Sequence, residues 1–185
     1  MLLQRTRADT VERFLPNFYR RFPSWWHLAE AQESELQKFL EPIGLSHRRA
    51  ASFNALAKEI VSRNGHFPFE RSEIEALPGV GQYIANAILL MAHGKREPLL
   101  DVNMARVVER YFGPRKLADI RYDPYLQKLA RRVSDHDSPK EINWAILDLA
   151  AKICTPRHPH CENCPLKLRC RFAPDVFAEG RDSTS

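Results

Sequence analysis

The sequence predicts an all-α protein. Three observations carry that reading. Apolar residues return at helical spacing along most of the chain, helix-start signals punctuate it, and no stretch alternates convincingly enough to be a strand. At 185 residues, with 44% hydrophobic and 28% charged residues, the chain can bury one full core or two small lobes. About nine or ten helices are expected, with no internal repeat.

Taken in order, Leu3, Val11, Phe14, Leu15 and Phe18 recur at helical spacing. Met1-Leu2-Leu3 enters that pattern at once, so a first helix is expected from the very start, with no capping residue for its first N–H groups. An uncapped apolar start fits either ordinary fraying or a natural chain that begins further upstream. Ser34-Glu-Leu-Gln37 and Ser72-Glu-Ile-Glu75 read as capping boxes opening short helices. Arg48 to Val61 reads as a longer amphipathic helix closed by Asn64-Gly65. Asp123-Pro124 and Ser138-Pro139-Lys-Glu141 each place a cap before a first-turn proline. The last fifteen residues, ending GRDSTS, read as a loose tail.

Between the helices of its middle section the chain reads LPGVGQYIANAI, residues 77–88. Gly79 and Gly81 can take positive φ angles and allow close backbone approach. Leu77 and Val80 can pack inward, leaving N–H groups from Val80 to Gln82 pointing outward at a helix N-terminus. Such a turn suits an anionic oxygen such as a DNA phosphate, and it equally suits a tight hairpin between two helices.

The four cysteines, Cys154, Cys161, Cys164 and Cys170, fall in C-x6-C-x2-C-x5-C spacing. No apolar run reaches membrane-spanning length and no secretory signal opens the chain, which reads as cytoplasmic. Two disulfides do not suit that setting. Zinc usually takes two short-spaced pairs, and only Cys161 and Cys164 make one. A [4Fe–4S] cluster tolerates uneven loops and is favoured over zinc. Net charge is +5, and 152–171 concentrates it: Lys152, Arg157, Lys167, Arg169 and Arg171 stand against Glu162 alone. Such a segment points to a polyanionic partner.

Together the hairpin, LLDVNMARVVERYFG at 99–113 and the cysteine loop resemble the helix-hairpin-helix DNA glycosylases that carry an iron–sulfur cluster, the superfamily of endonuclease III and the adenine glycosylases. The resemblance runs from LLQRT at 2–6 to Cys170. It implies a two-lobed all-α fold: a helical barrel lobe over 1–97 with the hairpin, a cluster lobe over 98–172, and a tail at 173–185, with DNA bound in the cleft between lobes. It maps Asp101 onto the family's catalytic aspartate, whose carboxylate stabilises the cationic sugar or orients the attacking water. A helix beginning at Asp101 would favour that negative charge, although Asp is also an ordinary helix cap. The cysteines become ligands of a [4Fe–4S] cluster.

Tyr83 occupies the position where the lyase branch of the family holds a lysine. A phenol cannot form a Schiff base, so the resemblance implies a monofunctional glycosylase. The tyrosine matches the Mig-type thymine–guanine mismatch enzymes and some adenine glycosylases. IGLSHRR at 43–49 and the absence of a further domain after Cys170 favour thymine or uracil opposite guanine. By resemblance Gln4 and Arg5 enter the duplex as the base swings out. His47, Arg48 and Arg49 grip the opposite strand, and Leu77, Gly79, Val80, Gly81 and Gln82 form the phosphate-binding turn. The implied partner is duplex DNA with a mismatched or damaged base, bound by a nucleoid-associated monomer with no membrane role.

One departure stands out. The mismatch and adenine glycosylases place a glutamate just before the MLLQRT motif, at a position that precedes residue 1 here. Either the start is assigned too late or a short form works with Asp101 alone. The rivals are an adenine glycosylase acting opposite guanine or 8-oxoguanine, and a cluster-bearing DNA-binding module without activity.

Overall fold

The computed structural model describes residues 1–3 and 5–173; Gln4 and the expected tail from 174 onward lie outside the described residues. Among these residues the fold is all-α, with no strand. The described residues form nine α-helices: α1 (Ala8–Arg21), α2 (Trp25–Glu30), α3 (Glu33–Leu40), α4 (Ser46–Ser62), α5 (Arg71–Glu75), α6 (Gln82–Met91), α7 (Val102–Phe112), α8 (Pro124–Ser134) and α9 (Pro139–Lys152). Short 3-10 turns occupy Glu41–Ile43, Cys161–Asn163 and Lys167–Arg169. None of the described helices is long and apolar enough to cross a membrane. The chain packs as two compact units, Met1–Ala85 and Asn86–Ser185, the division falling inside α6.

In the first unit α4 is the central helix. Its Ala50, Phe53 and Ala57 meet Phe18 of α1, Phe22 at the C-cap of α1, Leu28 of α2, and Leu36 and Leu40 of α3 in one buried cluster. Burying each large side chain of this kind contributes about 1.5–3 kcal/mol. Asn54, also buried, donates to the carbonyls of Leu28, Ala29 and Ala31 and so closes the C-terminal end of α2. The Asn64-Gly65 stop is confirmed in detail. Asn64 sits at φ +54°, Gly65 N–H returns to Ile60 O at 2.8 Å, and Asn64 N–H returns to Val61 O at 2.9 Å.

Three local expectations fail. No helix begins at Met1: the described residues before α1 form no helix, and Leu3 is exposed. The Leu2 carbonyl is taken instead by the Arg49 guanidinium at 2.9 Å, while Met1 and Leu2 pack onto the first unit's core. Neither serine opens a helix. Leu36 N–H already bonds Gln32 O, and Ile74 N–H already bonds Glu70 O, so α3 and α5 start upstream of Ser34 and Ser72. Fully buried Leu36, Leu40 and Ile74 set those starts, and core packing outweighs a cap contributing about 1 kcal/mol.

In the second unit α7, α8 and α9 enclose a core that includes Leu100, Met104, Val108, Leu126, Ala130 and Ile146. Both Pro-led starts occur as expected. Asp123 caps α8 and is fully buried; Ser138 precedes α9 without a side-chain cap bond. Asp123 accepts N–H groups from Leu126 at 2.7 Å, Leu117 at 2.7 Å and Lys116 at 2.8 Å. The Leu126 bond first, then the other two, hold its carboxyl below the usual carboxylate value. A depressed folded-state value means the stabilisation is complete above the unfolded pKa and is lost as pH falls through the folded one. Asp123→Ala is therefore expected to lower Tm by about 8 °C at pH 7. The difference from wild type should shrink as pH falls below the ordinary carboxylate value of about 4 in calorimetric scans.

Candidate active site and nucleic-acid interface

The segment leading to Asp101 is held by two buried asparagines. Asn86 Nδ2 donates to Pro98 O at 2.8 Å. Asn143 accepts Leu99 N–H at 2.7 Å and donates to Glu97 O at 3.2 Å. These bonds deliver Asp101 to the N-cap of α7 with extended backbone. One carboxylate oxygen, Oδ1, accepts the N–H groups of Asn103 and Met104, both at 2.9 Å. The other, Oδ2, accepts Asn103 Nδ2 at 2.8 Å. The cap expected of an aspartate here is thus real, and the same bonds fix the carboxylate's orientation at a half-buried position.

A connected set of bonds continues along α7. Arg106 donates to Asn103 Oδ1 at 3.2 Å, to Ala150 O at 3.0 Å and to Cys154 O at 2.8 Å. One turn on, Arg110 donates to Cys154 Sγ at 3.3 Å, Thr155 O at 2.8 Å and Pro156 O at 2.9 Å, and its guanidinium lies 4.4 Å from the centre of the Phe172 ring. The return strand of the loop is tied to α7 as well: Phe172 N–H bonds Arg110 O at 3.0 Å and Arg171 N–H bonds Tyr111 O at 3.3 Å. Sequence reasoning missed Asn103, Arg106 and Arg110. Their i, i+3, i+7 spacing on a helix whose other face is apolar was the available signal.

Cys154, Cys161, Cys164 and Cys170 all line one small cavity of about 20 Å³, together with Arg110, Ile153, Pro159, Lys167, Phe172 and Ala173. All four are partly buried and unpaired by disulfides. Burial, and then its neighbours Cys170, Cys154 and Cys164, push the Cys161 thiol up, against the opposing pull of Arg110. Among the described residues no group of three or more His, Cys, Asp or Glu side chains is gathered for a single metal ion. Four thiols around one cavity are the donor chemistry of a soft metal centre, zinc or iron–sulfur. Around it Arg157, Lys167, Arg169 and Arg171 are exposed.

The hairpin differs from its expected form in two details. Gly79 takes φ +72°, but Gly81 is not in the positive-φ region. Val80 N–H is not directed outward; it donates to Leu77 O at 3.1 Å. Gly81 O accepts from Ala85 N–H, so α6 opens at Gly81 and its first-turn N–H groups begin with Gln82. Leu77 and Val80 are buried, which leaves only their main chain for a ligand. The two glycines have separate tasks. A Cβ on Gly79 would meet Met1 Cε at 2.7 Å and Ser52 Cβ at 3.1 Å, whereas one on Gly81 would meet no protein atom within 4 Å. Gly79→Ala is expected to cost about 1–3 kcal/mol of stability. Gly81→Ala should cost less than about 1 kcal/mol, yet weaken duplex binding about tenfold if a phosphate approaches there. Thermal melts beside fluorescence anisotropy separate the two effects.

Tyr83 is exposed in the first turn of α6. Arg5 is exposed at φ +56°. His47, hydrogen-bonded to Gln37, and Arg48 are exposed in the first turn of α4. Arg49 is not: at 3% exposure it points inward, which corrects the expectation that it grips a strand. Its guanidinium is spent on main-chain carbonyls within the first unit.

Comparison with known proteins agrees with this geometry. Residues 1–134 match the family model described as HhH-GPD superfamily base excision DNA repair protein. A thymine-DNA glycosylase of Aeropyrum pernix is 43% identical over 175 residues, covering 92% of this chain and 78% of that one. A thymine/uracil-DNA glycosylase of Pyrobaculum aerophilum is 42% identical over 170 residues, covering 90% and 74%. The solved structure of a thermostable thymine-DNA glycosylase superposes with a TM-score of 0.87 at 32% identity, covering 93% of this chain and 80% of that one. On the family match and on relatives more than 40% identical over most of both chains, the chain belongs to the HhH-GPD superfamily of base excision DNA repair proteins.

Proposed function

We propose that this protein is a monofunctional DNA glycosylase that removes thymine or uracil mispaired with guanine from duplex DNA. The observation that carries the reading is the Asp101 carboxylate, fixed by three donors at the N-terminus of α7. The names of the 43% and 42% identical relatives support the choice of base.

Cleavage of the N-glycosidic bond sends its electron pair to the base and leaves positive charge on the sugar. A carboxylate already oriented by its neighbours stabilises that charge without reorganising. Water then adds to the sugar carbon, and Asp101 accepts its proton or orients it. Thymine and uracil leave as delocalised anions more readily than adenine, so a single carboxylate suffices for them. Tyr83 supplies no amine, and the strand is left intact.

Arg5, His47 and Arg48 meet the duplex, as does the turn formed by Gly79, Gly81 and Gln82 with the main chain of Leu77 and Val80. Gln4, outside the described residues, is assigned the same role as Arg5. Cys154, Cys161, Cys164 and Cys170 would hold a [4Fe–4S] cluster, which supplies a four-point crosslink to the basic 152–171 segment rather than a redox step. The barrel lobe is assigned to 1–97 and the cluster lobe to 98–172, with the protein acting as a monomer.

The test uses G·T, G·U and A·8-oxoguanine duplexes, each with and without later alkali. Strand cleavage of G·T and G·U duplexes only after alkali is expected. Cleavage without alkali would overturn the monofunctional assignment, and cleavage of the A·8-oxoguanine duplex alone would favour the adenine reading.

A further inference from the structure

Arg49 lies at a junction the proposed chemistry does not use. Its Nη1 donates to Ile43 O and Gly44 O, both at 2.6 Å, and its Nη2 donates to Leu2 O at 2.9 Å and Thr6 Oγ1 at 2.7 Å. Thr6 Oγ1 in turn donates to Ile43 O at 2.9 Å. One buried fork therefore ties together two segments some forty residues apart in sequence. The first is bracketed by Leu2 and Thr6 and carries Arg5; the second runs from Ile43 into α4 and carries His47 and Arg48. Each contains a non-glycine residue in the left-handed region, Arg5 at φ +56° and Leu45 at φ +52°. Such backbone persists only where its surroundings over-determine it, and it concentrates where geometry matters for function. Burial also pulls the guanidinium below the usual arginine value, a cost that its hydrogen bonds offset.

We propose that Arg49 is a positioning residue that holds Arg5 and the His47–Arg48 pair in one fixed arrangement, and so sets how well the protein distinguishes a mismatched duplex from a matched one. The proposal rests on the duplex-contacting roles assigned above to Arg5, His47 and Arg48. Only a planar fork serves acceptors in these directions. A lysine keeps the charge but lacks that geometry, and no base or phosphate contact is removed with it.

The experiment measures affinity for two duplexes, one fully paired and one with guanine opposite 2′-fluorothymidine, which resists hydrolysis. Arg49→Lys and Thr6→Val are each expected to bind the paired duplex within about twofold of wild type and to lose about tenfold in affinity for the mismatch. Equal loss on both duplexes, or no loss on either, would overturn the proposal. If Arg49→Lys does not fold, Thr6→Val, which removes one hydroxyl and leaves the guanidinium, decides the matter alone. Wild-type protein that neither prefers nor excises the mismatch would sink the glycosylase reading and this proposal together. An active, discriminating wild type with indifferent variants would sink only this one.

Discussion

Asp101→Asn abolishes base release while leaving duplex binding within about threefold of wild type; the expected fall in single-turnover rate on a G·T duplex is about 1,000-fold. The amide is nearly isosteric. Its oxygen can still accept the N–H groups of Asn103 and Met104, and Asn is as good a helix cap as Asp, so α7 keeps its start. Two things are lost. The negative charge proposed to steady a cationic sugar is gone, and an amide N–H now faces Asn103 Nδ2, where Oδ2 accepted at 2.8 Å. Melting temperature and anisotropy establish that the variant is folded and binds; quenched-flow base release then isolates the chemistry. Turnover that survives the substitution would remove Asp101 from the mechanism.

The second large effect comes from the cysteines. Cys161→Ser should yield a colourless protein, without the absorbance near about 400 nm expected of an iron–sulfur cluster. It should also cost more than about 4 kcal/mol of stability, as loss of a structural metal centre does. The loss should not stay in the loop. Arg110 and Arg106 bond Cys154 and its neighbours, and Arg106 bonds Asn103, which holds Asp101. Base release should therefore fall further than loss of binding by the 152–171 segment alone would produce. Wild-type protein that is colourless and holds one zinc per chain would refute the cluster, and Arg106→Met with unchanged base release would refute the transmission through α7.

Much of this site was legible because its signals are local. Asp101 two and three residues before the N–H groups it caps, and Asp123 before Pro124, are short-range hydrogen-bond chemistry that spacing alone exposes. The Asn64-Gly65 stop is likewise a matter of φ angles at two residues. What misled the reading was also local. Ser34 and Ser72 carry good cap chemistry, and Met1 to Leu3 carries an apolar helical pattern, yet each was overruled by contacts that no short window contains.

The sequence by itself determined an all-α chain and a set of four thiols in one loop; its resemblance to a known family added the position of the candidate acid and a phenol where the lyase branch holds an amine. Tertiary structure alone decided that Arg49 faces inward, that Asn86 and Asn143 hold the approach to Asp101, and that Arg106 and Arg110 bind the cysteine loop to α7. The reason is distance along the chain. A helix cap or turn is settled within four or five residues, by steric and hydrogen-bond rules that act wherever the residues occur. A guanidinium finds carbonyls more than forty residues away only after packing has closed the intervening chain, and nothing in its own neighbourhood announces which ones they will be.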